Sequence, residues 1–313
     1  MLSFALKRLG FALVTVFNVL TVVFLLVRVL PGDPVMVILG DQASPASAQA
    51  LREKLGLDKP ILHQYGEFLL QAAQGDLGNA MSSGRPVMEE ILAVLPYTIE
   101  LTISSLLLGC LLGVPAGVFA AVNRGRVTDY ALRFVSLLGL SIPAFVAAII
   151  LLIVFAIQLG WFPVISSGGG DTIGARIWQM TLPTVVLALI MMAYITRVTR
   201  SAMLEVLNQD FIRTARAKGA QSAAVVWKHA LGNCMIPITT VVGLYLGVLI
   251  GHSALTEIVF SRPGLGKLIL TALSQRDYTL LQGLIVIYTM IVVVVNLITD
   301  LTYGFFDPRV QYK

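Results

Sequence analysis

The stretch DFIRTARAKGAQSAAVVWKHALGN, residues 210–233, lies between two runs of membrane-grade hydrophobicity. It carries Arg213, Arg216, Lys218, Lys228 and His229 against one acid, Asp210. Cations set among alanines suit two kinds of chemistry: pairing with acids of a second polypeptide, or gripping the phosphates of lipid headgroups. Residues 205–219, EVLNQDFIRTARAKG, predict a helix that Asn208 or Asp210 caps and Gly219 ends. Phe211, Ala215, Ala217 and Lys218 fall near one face of it, flanked by Arg213 and Arg216. A second short helix is expected over 222–231. An ordinary cytoplasmic loop would also be basic, but a connection of more than about 30 residues with its own helical pattern is long for a mere link.

Few other residues offer chemistry. Glu100, in LPYTIELTIS, falls a turn or so into an apolar run, where a carboxylate is costly to bury and therefore a candidate pathway residue. The plainer alternative places it at the interface, solvated or set against a helix N-terminus. Asp300 and Arg28 read as interfacial, and His252 fits either role. The three histidines, His63, His229 and His252, are scattered, with no HExxH and no Cys/His cluster, so no metal site is expected. Cys110 and Cys234 fall in apolar runs and read as small buried hydrophobes. There is no GxxxxGK[ST] loop for ATP and no GxSxG nucleophile turn. The chain is expected to be no enzyme and to bind no cofactor. It also lacks the intramembrane charges of a proton or sodium relay, so a driving partner is required.

The elements that position these residues follow from composition. Of 313 residues, 57% are hydrophobic and 12% charged, against about 25% charged in soluble domains. This is an all-α polytopic membrane protein. Its net charge of +5 matters by position and does not point to nucleic acid. The N-terminus, MLSFALKRLGFALVTVF, starts like a signal peptide, but its apolar run is too long and no small-residue cleavage site closes it. It reads as a retained first span. Six segments reach the roughly 20 apolar residues a crossing needs: about 9–30, 98–122, 130–159, 178–197, 234–254 and 279–302. The third is long enough to tilt or break at Pro143, and Pro183 lies near the start of the fourth. With the N-terminus inside, the larger share of the 22 Lys and Arg falls on the inner side although the outer loops are longer, so both termini are expected in the cytoplasm. Gly109, Gly113 and Gly117 form a GxxxGxxxG ridge that allows close helix approach, either within the chain or at a subunit interface.

Between the spans, PGDP at 31–34 ends the first helix. SPASAQALREKLGL then predicts a helix capped by Ser44 or Ser47, and HQYGEFLLQAAQ and RPVMEEILAVL two more amphipathic helices of an external helical layer. SSGGGD in the 160–177 loop reads as a flexible connection, and Pro263, Gly264 and Gly266 in EIVFSRPGLGKL force turns. The chain divides into a first span with external loop, 1–97, and a five-helix core, 98–313, with a cytoplasmic loop at about 201–233.

The block DFIRTARAKG…HALGN…IP resembles the EAA loop of ABC-importer permeases, in the form used by the dipeptide, oligopeptide and nickel group. Further marks of that group run along nearly the whole chain in order: the N-terminal KRL, LPGDP at 30–34, LGLDKP at 55–60, GDLG at 75–78, PYTIEL at 96–101, TRVTRSAMLEVL at 196–207, EIVFSRPGLG at 257–266, RDYTLLQG at 276–283 and NLITDLTYGFFDPRV at 296–310. Gly232 stands where the group has arginine, Thr279 where it has proline, and Arg213-Thr214-Ala215 where the classical motif has Glu-Ala-Ala. The resemblance implies the type I ABC importer permease fold, multi-pass in a bacterial-type inner (plasma) membrane. It implies a second homologous permease as heterodimer partner, two cytoplasmic ATP-binding subunits that hold the ATP, an external solute-binding protein and surrounding lipid. The coupling handle would be Arg213, Thr214, Ala215, Arg216, Ala217, Lys218 and Gly219. The expected cargo is a dipeptide or oligopeptide, with nickel or a metal–chelator complex as the alternative within the group. A stand-alone ion-driven secondary transporter is the alternative of a different class.

Overall fold

The computed structural model describes residues 2–29, 35, 39, 44–54, 57–169 and 172–306. The PGDP break at 31–34, residues 55 and 56 of LGLDKP, Gly170 and Asp171, and the basic end with Arg309 and Lys313 lie outside the described residues, as do the side chains of Arg28 and Asp300. The described residues form helices and connections and contain no strand. They group into two compact units: residues 2–96 with 264–294, and residues 97–263 with the segment from 295 onward.

The first unit begins with α1, Leu2–Val29. Its apolar window Leu6–Leu26 is 21 residues long, about 31 Å of helix, enough to cross the hydrocarbon core. Only a small part of that window is buried within the chain; Phe11, Leu13 and Val14 stand exposed, as lipid-facing side chains do. Two short helices follow, α2 (Pro45–Lys54) and α3 (Ile61–Ala73). Ser44 caps α2: its hydroxyl accepts from the Ser47 amide at 3.1 Å, with Pro45 in the first helical position. Of the two serines expected there, the earlier one does the capping.

RPVMEEILAVL does not form a separate amphipathic helix. It opens the second span, α4, which runs unbroken over Val87–Val122. Nothing in the segment stops a helix, and Pro96 sits inside it without ending it. The other members of this unit are α10, Leu265–Ser274, and the start of α11, Tyr278–Phe306. Val87, Ile91, Leu265, Ala272, Leu280 and Leu284 pack together as its apolar core. Asp277, fully buried, caps α11 by accepting from the Leu280 amide at 2.9 Å, and its other oxygen accepts from the amide and hydroxyl of Ser82, each at 2.8 Å.

In the second unit the long third span is broken. α5 (Val127–Ser141) and α6 (Ala144–Gln158) meet at a bend of 103°. Pro143, with no amide hydrogen and a clash onto the preceding turn, is the breaker, as its position suggests. The last part of α6, Leu152–Gln158, is π-helical. α7 covers Ile173–Val206 and absorbs Pro183, which is buried inside it. α8 is Asp210–Ala217. α9 runs from Ser222 to Val259 with a π-helical turn at Val225–Ala230. The expected short helix over 222–231 is therefore not separate but the first part of the fifth span. A run of Ala, Val and Trp with no glycine or proline before Gly232 leaves nothing to stop it.

The glycine ridge packs inside the chain. A Cβ at Gly109 would lie 2.6 Å from Met191 Cβ, at Gly113 2.9 Å from Ile195 Cβ, and at Gly117 2.5 Å from Thr199 Cβ. Met191, Ile195 and Thr199 also recur at every fourth position, so one ridge of α4 seats on one ridge of α7. The Thr196 hydroxyl donates to the Gly113 carbonyl at 3.3 Å, a contact that only this close approach permits.

Candidate functional site

α8 is a polar helix with an apolar root. Ile212 is fully buried among Val118, Met203, Val206, Val225 and Cys234, with Ala215 and Ala220 packed beside it. Burying an isoleucine side chain stabilises by about 1.5–3 kcal/mol, which fastens this short helix to the C-terminal ends of α4 and α7 and the N-terminal part of α9. Arg213, Thr214, Arg216, Ala217, Lys218 and Gly219 stay exposed. Neither expected side-chain cap forms. Gln209 occupies the N-cap position, Asp210 pairs with Arg213 at 3.3 Å, and Asn208 donates back to the Leu204 carbonyl at 2.8 Å. Phe211, expected beside Ala215, turns outward. The inward face is set by Ile212 and Ala215, three residues apart.

The stop at Gly219 is as its type suggests. Its φ is +82°, left-handed, with its amide donating to the Arg216 carbonyl at 2.9 Å and the Ala220 amide to the Ala215 carbonyl at 3.2 Å. This is the paired C-terminal bonding that favours glycine. The chain then turns directly into α9.

A second polar feature ties α4 to the start of α7 and the turn after α9. Glu100 bonds two arginines: Arg262 at 2.8 Å and Arg176 at 3.2 Å. Arg262 is 2% exposed in its side chain, Glu100 31% and Arg176 50%. Arg262 also donates to the Ser166 hydroxyl at 3.2 Å and lies over the Tyr97 ring at 5.7 Å, while its Nε has no partner. Its own amide donates to the Glu257 carbonyl at 2.8 Å, and the buried Glu257 carboxylate accepts from Thr98 at 2.7 Å. Burial pushes the Arg262 guanidinium below its ordinary range, with Glu100 opposing the shift. Glu100 thus sits neither alone in an apolar span nor free in water, but as the shared acceptor of a charge cluster joining α4, α7 and the end of α9.

Sequence reasoning also missed a buried ion pair between α5 and the C-terminal part of α7. Asp129 accepts from Arg200 Nε at 2.7 Å and Nη2 at 2.9 Å, a bidentate fork, and from the Gly125 amide at 3.0 Å. The partners lie 71 residues apart, so no local pattern announces them. Arg262 is similarly hidden as one cation of a connection between helices; Ser261, at φ +49°, marks the tight turn that delivers it into the protein.

Among the described residues no group of three or more His, Cys, Asp and Glu could hold a metal ion. What the geometry offers is a frame: helices packed on a glycine ridge, a charge cluster toward one end of them, and a rooted polar helix at the other. With five helices among the described residues, or six counting the bent pair, long and apolar enough to cross a membrane, that defines a helical, multi-pass protein. The chain belongs to the family of binding-protein-dependent transport system inner membrane components, whose model matches residues 113–312, while the family's N-terminal region matches residues 1–102. It is a non-catalytic multi-pass component of the inner membrane. It is 40% identical to the dipeptide transport system permease protein DppB of Alkalihalophilus pseudofirmus and to the di/tripeptide transport system permease protein DppB of Pseudomonas aeruginosa, over 100% of each chain. It is likewise 40% identical, again over 100% of both, to the glutathione transport system permease protein GsiC of Escherichia coli. Among solved structures it resembles a chain of the MetNI methionine ABC transporter in an inward-facing conformation, with a TM-score of 0.58 and 21% identity over 70% of this chain and 97% of that one. That likeness bears on the fold.

Proposed function

We propose that this chain is one half of the membrane gate of an ATP-driven importer of short peptides. Its relatives named for dipeptides, di/tripeptides and glutathione share one cargo chemistry, a short peptide. A second, homologous permease completes the gate, two cytoplasmic ATP-binding subunits drive it, and an external binding protein delivers the peptide. Both termini face the cytoplasm, following the distribution of Lys and Arg. α8 with Gly219 is the coupling handle. The observation that carries this reading is the division of α8 into a buried root, Ile212, and an exposed polar surface, Arg213 to Lys218. Any connection in water is polar on its wet side, but Ile212 holds this surface at a fixed place against the spans, as a helix gripped by another polypeptide requires.

The test is purification of the tagged chain from native membranes in mild detergent, with mass spectrometry of what accompanies it. ATP-binding subunits and a second permease, with ATP hydrolysis stimulated by an external binding protein loaded with a di- or tripeptide, are expected. A chain that emerged alone and moved solute in liposomes under an ion gradient would overturn the reading.

A further inference from the structure

α3, Ile61–Ala73, has three sectors. At about 100° per residue, Tyr65, Phe68 and Ala72 fall on one side, Leu62, Gly66, Leu69, Leu70 and Ala73 on a second, and His63, Glu67 and Gln71 on a third. The first sector is packed on α1. The Tyr65 hydroxyl lies 2.6 Å from that of Thr21, and the Phe24 ring is 5.1 Å from Tyr65 and 5.7 Å from Phe68. The second sector is apolar and open: Leu62 is 80% exposed and Leu70 62%. The third is polar and organised, with Glu67 bonded by Lys59 at 2.7 Å and by His63 at 3.1 Å. The Lys59 ammonium holds the Glu67 carboxyl below its usual range, so this sector stays charged in water.

The contact with α1 fixes the depth. Thr21 and Phe24 lie inside the apolar window Leu6–Leu26, Thr21 about 7.5 Å of helix rise from its end. A helix touching those two residues lies at the boundary between headgroups and acyl chains. With one sector turned sideways onto a membrane-crossing helix, the other two flank it, one on the water side and one on the lipid side. Leu25 and Leu26 of α1 are themselves exposed beside this contact, so the open leucines continue a lipid-facing surface.

We propose that α3 is an interfacial membrane anchor, its Leu62 and Leu70 sector buried in the lipid leaflet at the C-terminal end of α1 and its His63–Glu67 sector in water. An apolar face sunk about 5–10 Å into the boundary is the known mode of such helices. Under the proposed orientation this is the outer leaflet, but the anchor itself does not depend on which side that is. It depends only on α1 crossing the bilayer.

The experiment places an environment-sensitive fluorescent amino acid by amber suppression at position 62, 70 or 71 in the assembled transporter, in nanodiscs of phosphatidylcholine and phosphatidylglycerol. Neither native cysteine is altered, and all three sites are exposed, so packing is kept. Quenching is read with nitroxide-bearing lipid and with iodide. At 62 and 70 the lipid quencher should win several-fold and iodide should do little; at 71 the order should reverse. Iodide quenching at 62 and 70 equal to that at 71 would overturn the anchor by placing the helix in water. Protection of 62 and 70 from both quenchers would overturn it by showing that protein covers them. Loss of peptide transport or of ATPase partners would refute the proposed function and leave this readout intact.

Discussion

The glycine ridge makes a prediction whose sign changes with position. Gly109, Gly113, Gly117 and Gly232 all lie inside helices, and each is changed to alanine in turn. Alanine in place of a mid-helix glycine gains about 0.5–1 kcal/mol through chain entropy. At Gly232 a Cβ meets nothing within 4 Å, so the full gain should appear. At Gly117 the new methyl meets Thr199 Cβ at 2.5 Å and the Thr196 carbonyl oxygen at 2.8 Å. Ordinary carbon contacts lie at about 3.5–4.0 Å, so α4 and α7 must part by about 1 Å or the local backbone must bend. Overpacking of this kind costs about 1–3 kcal/mol, leaving a net loss of about 0–2.5 kcal/mol after the entropic gain, against the full gain at Gly232. Gly109, with Met191 Cβ at 2.6 Å, should behave alike, and Gly113, at 2.9 Å, should be the mildest of the three. The assay is unfolding of the purified transporter in mild detergent, followed by helicity, all variants in one buffer. Gly117→Ala unfolding no earlier than Gly232→Ala would refute the close-packed seam.

Three further outcomes are expected. Glu100→Gln removes the shared carboxylate and leaves the buried Arg262 with the neutral Ser166 hydroxyl and the more distant charge of Glu257. With the Glu257 charge still acting on Arg262, it should cost about 1–3 kcal/mol, below the 3–5 of a fully buried pair because Glu100 is 31% exposed, and a double-mutant cycle with Arg262→Met should show coupling above about 1 kcal/mol in the same unfolding assay. Asp129→Asn, which turns the bidentate fork into a weaker neutral contact beside a largely buried arginine, should cost about 3 kcal/mol, and unfolding no different from the parent chain would sink the reading. Gly219→Asn should keep ATP-coupled uptake, since asparagine tolerates the left-handed conformation. Gly219→Val, forced into φ +82° at a cost of about 1–2 kcal/mol, should hydrolyse ATP with little uptake while still inserting in the membrane.

Hydropathy made the spans legible because a bilayer imposes length and apolarity on each segment independently of its neighbours. Pro143, Gly219 and Ser44 were legible for a related reason: a break, a left-handed stop and a cap are set by one residue and its immediate chain. The misplacements share the opposite cause. RPVMEEILAVL and residues 222–231 have the amphipathic look of surface helices because each is the wet end of a longer helix, and only the absence of a stop signal tells the two cases apart. Asp129 with Arg200, Glu100 with Arg262 and the burial of Ile212 depend on which helices become neighbours. Their partners lie tens of residues away, where periodicity carries no information. The ridge glycines fall between the two cases: their spacing declared a close approach but not to what.

α9 starts at Ser222, just past Gly219, and ends at Val259, just before Arg262. One continuous helix of 38 residues, about 57 Å long, therefore has the proposed coupling handle α8 at its root and the Glu257–Arg262 turn at its tip. A rod clamped at both ends needs no relay. A tilt imposed at Ser222 reaches the charge cluster as displacement, scaled by the distance from whatever pivot the rod turns about. Pro237, which removes one rung from the hydrogen-bond ladder, is where such a rod is most easily bent. Under the proposed coupling role, the stiffness of the remaining turns is a transport parameter in its own right, as the length of an oar is to the stroke.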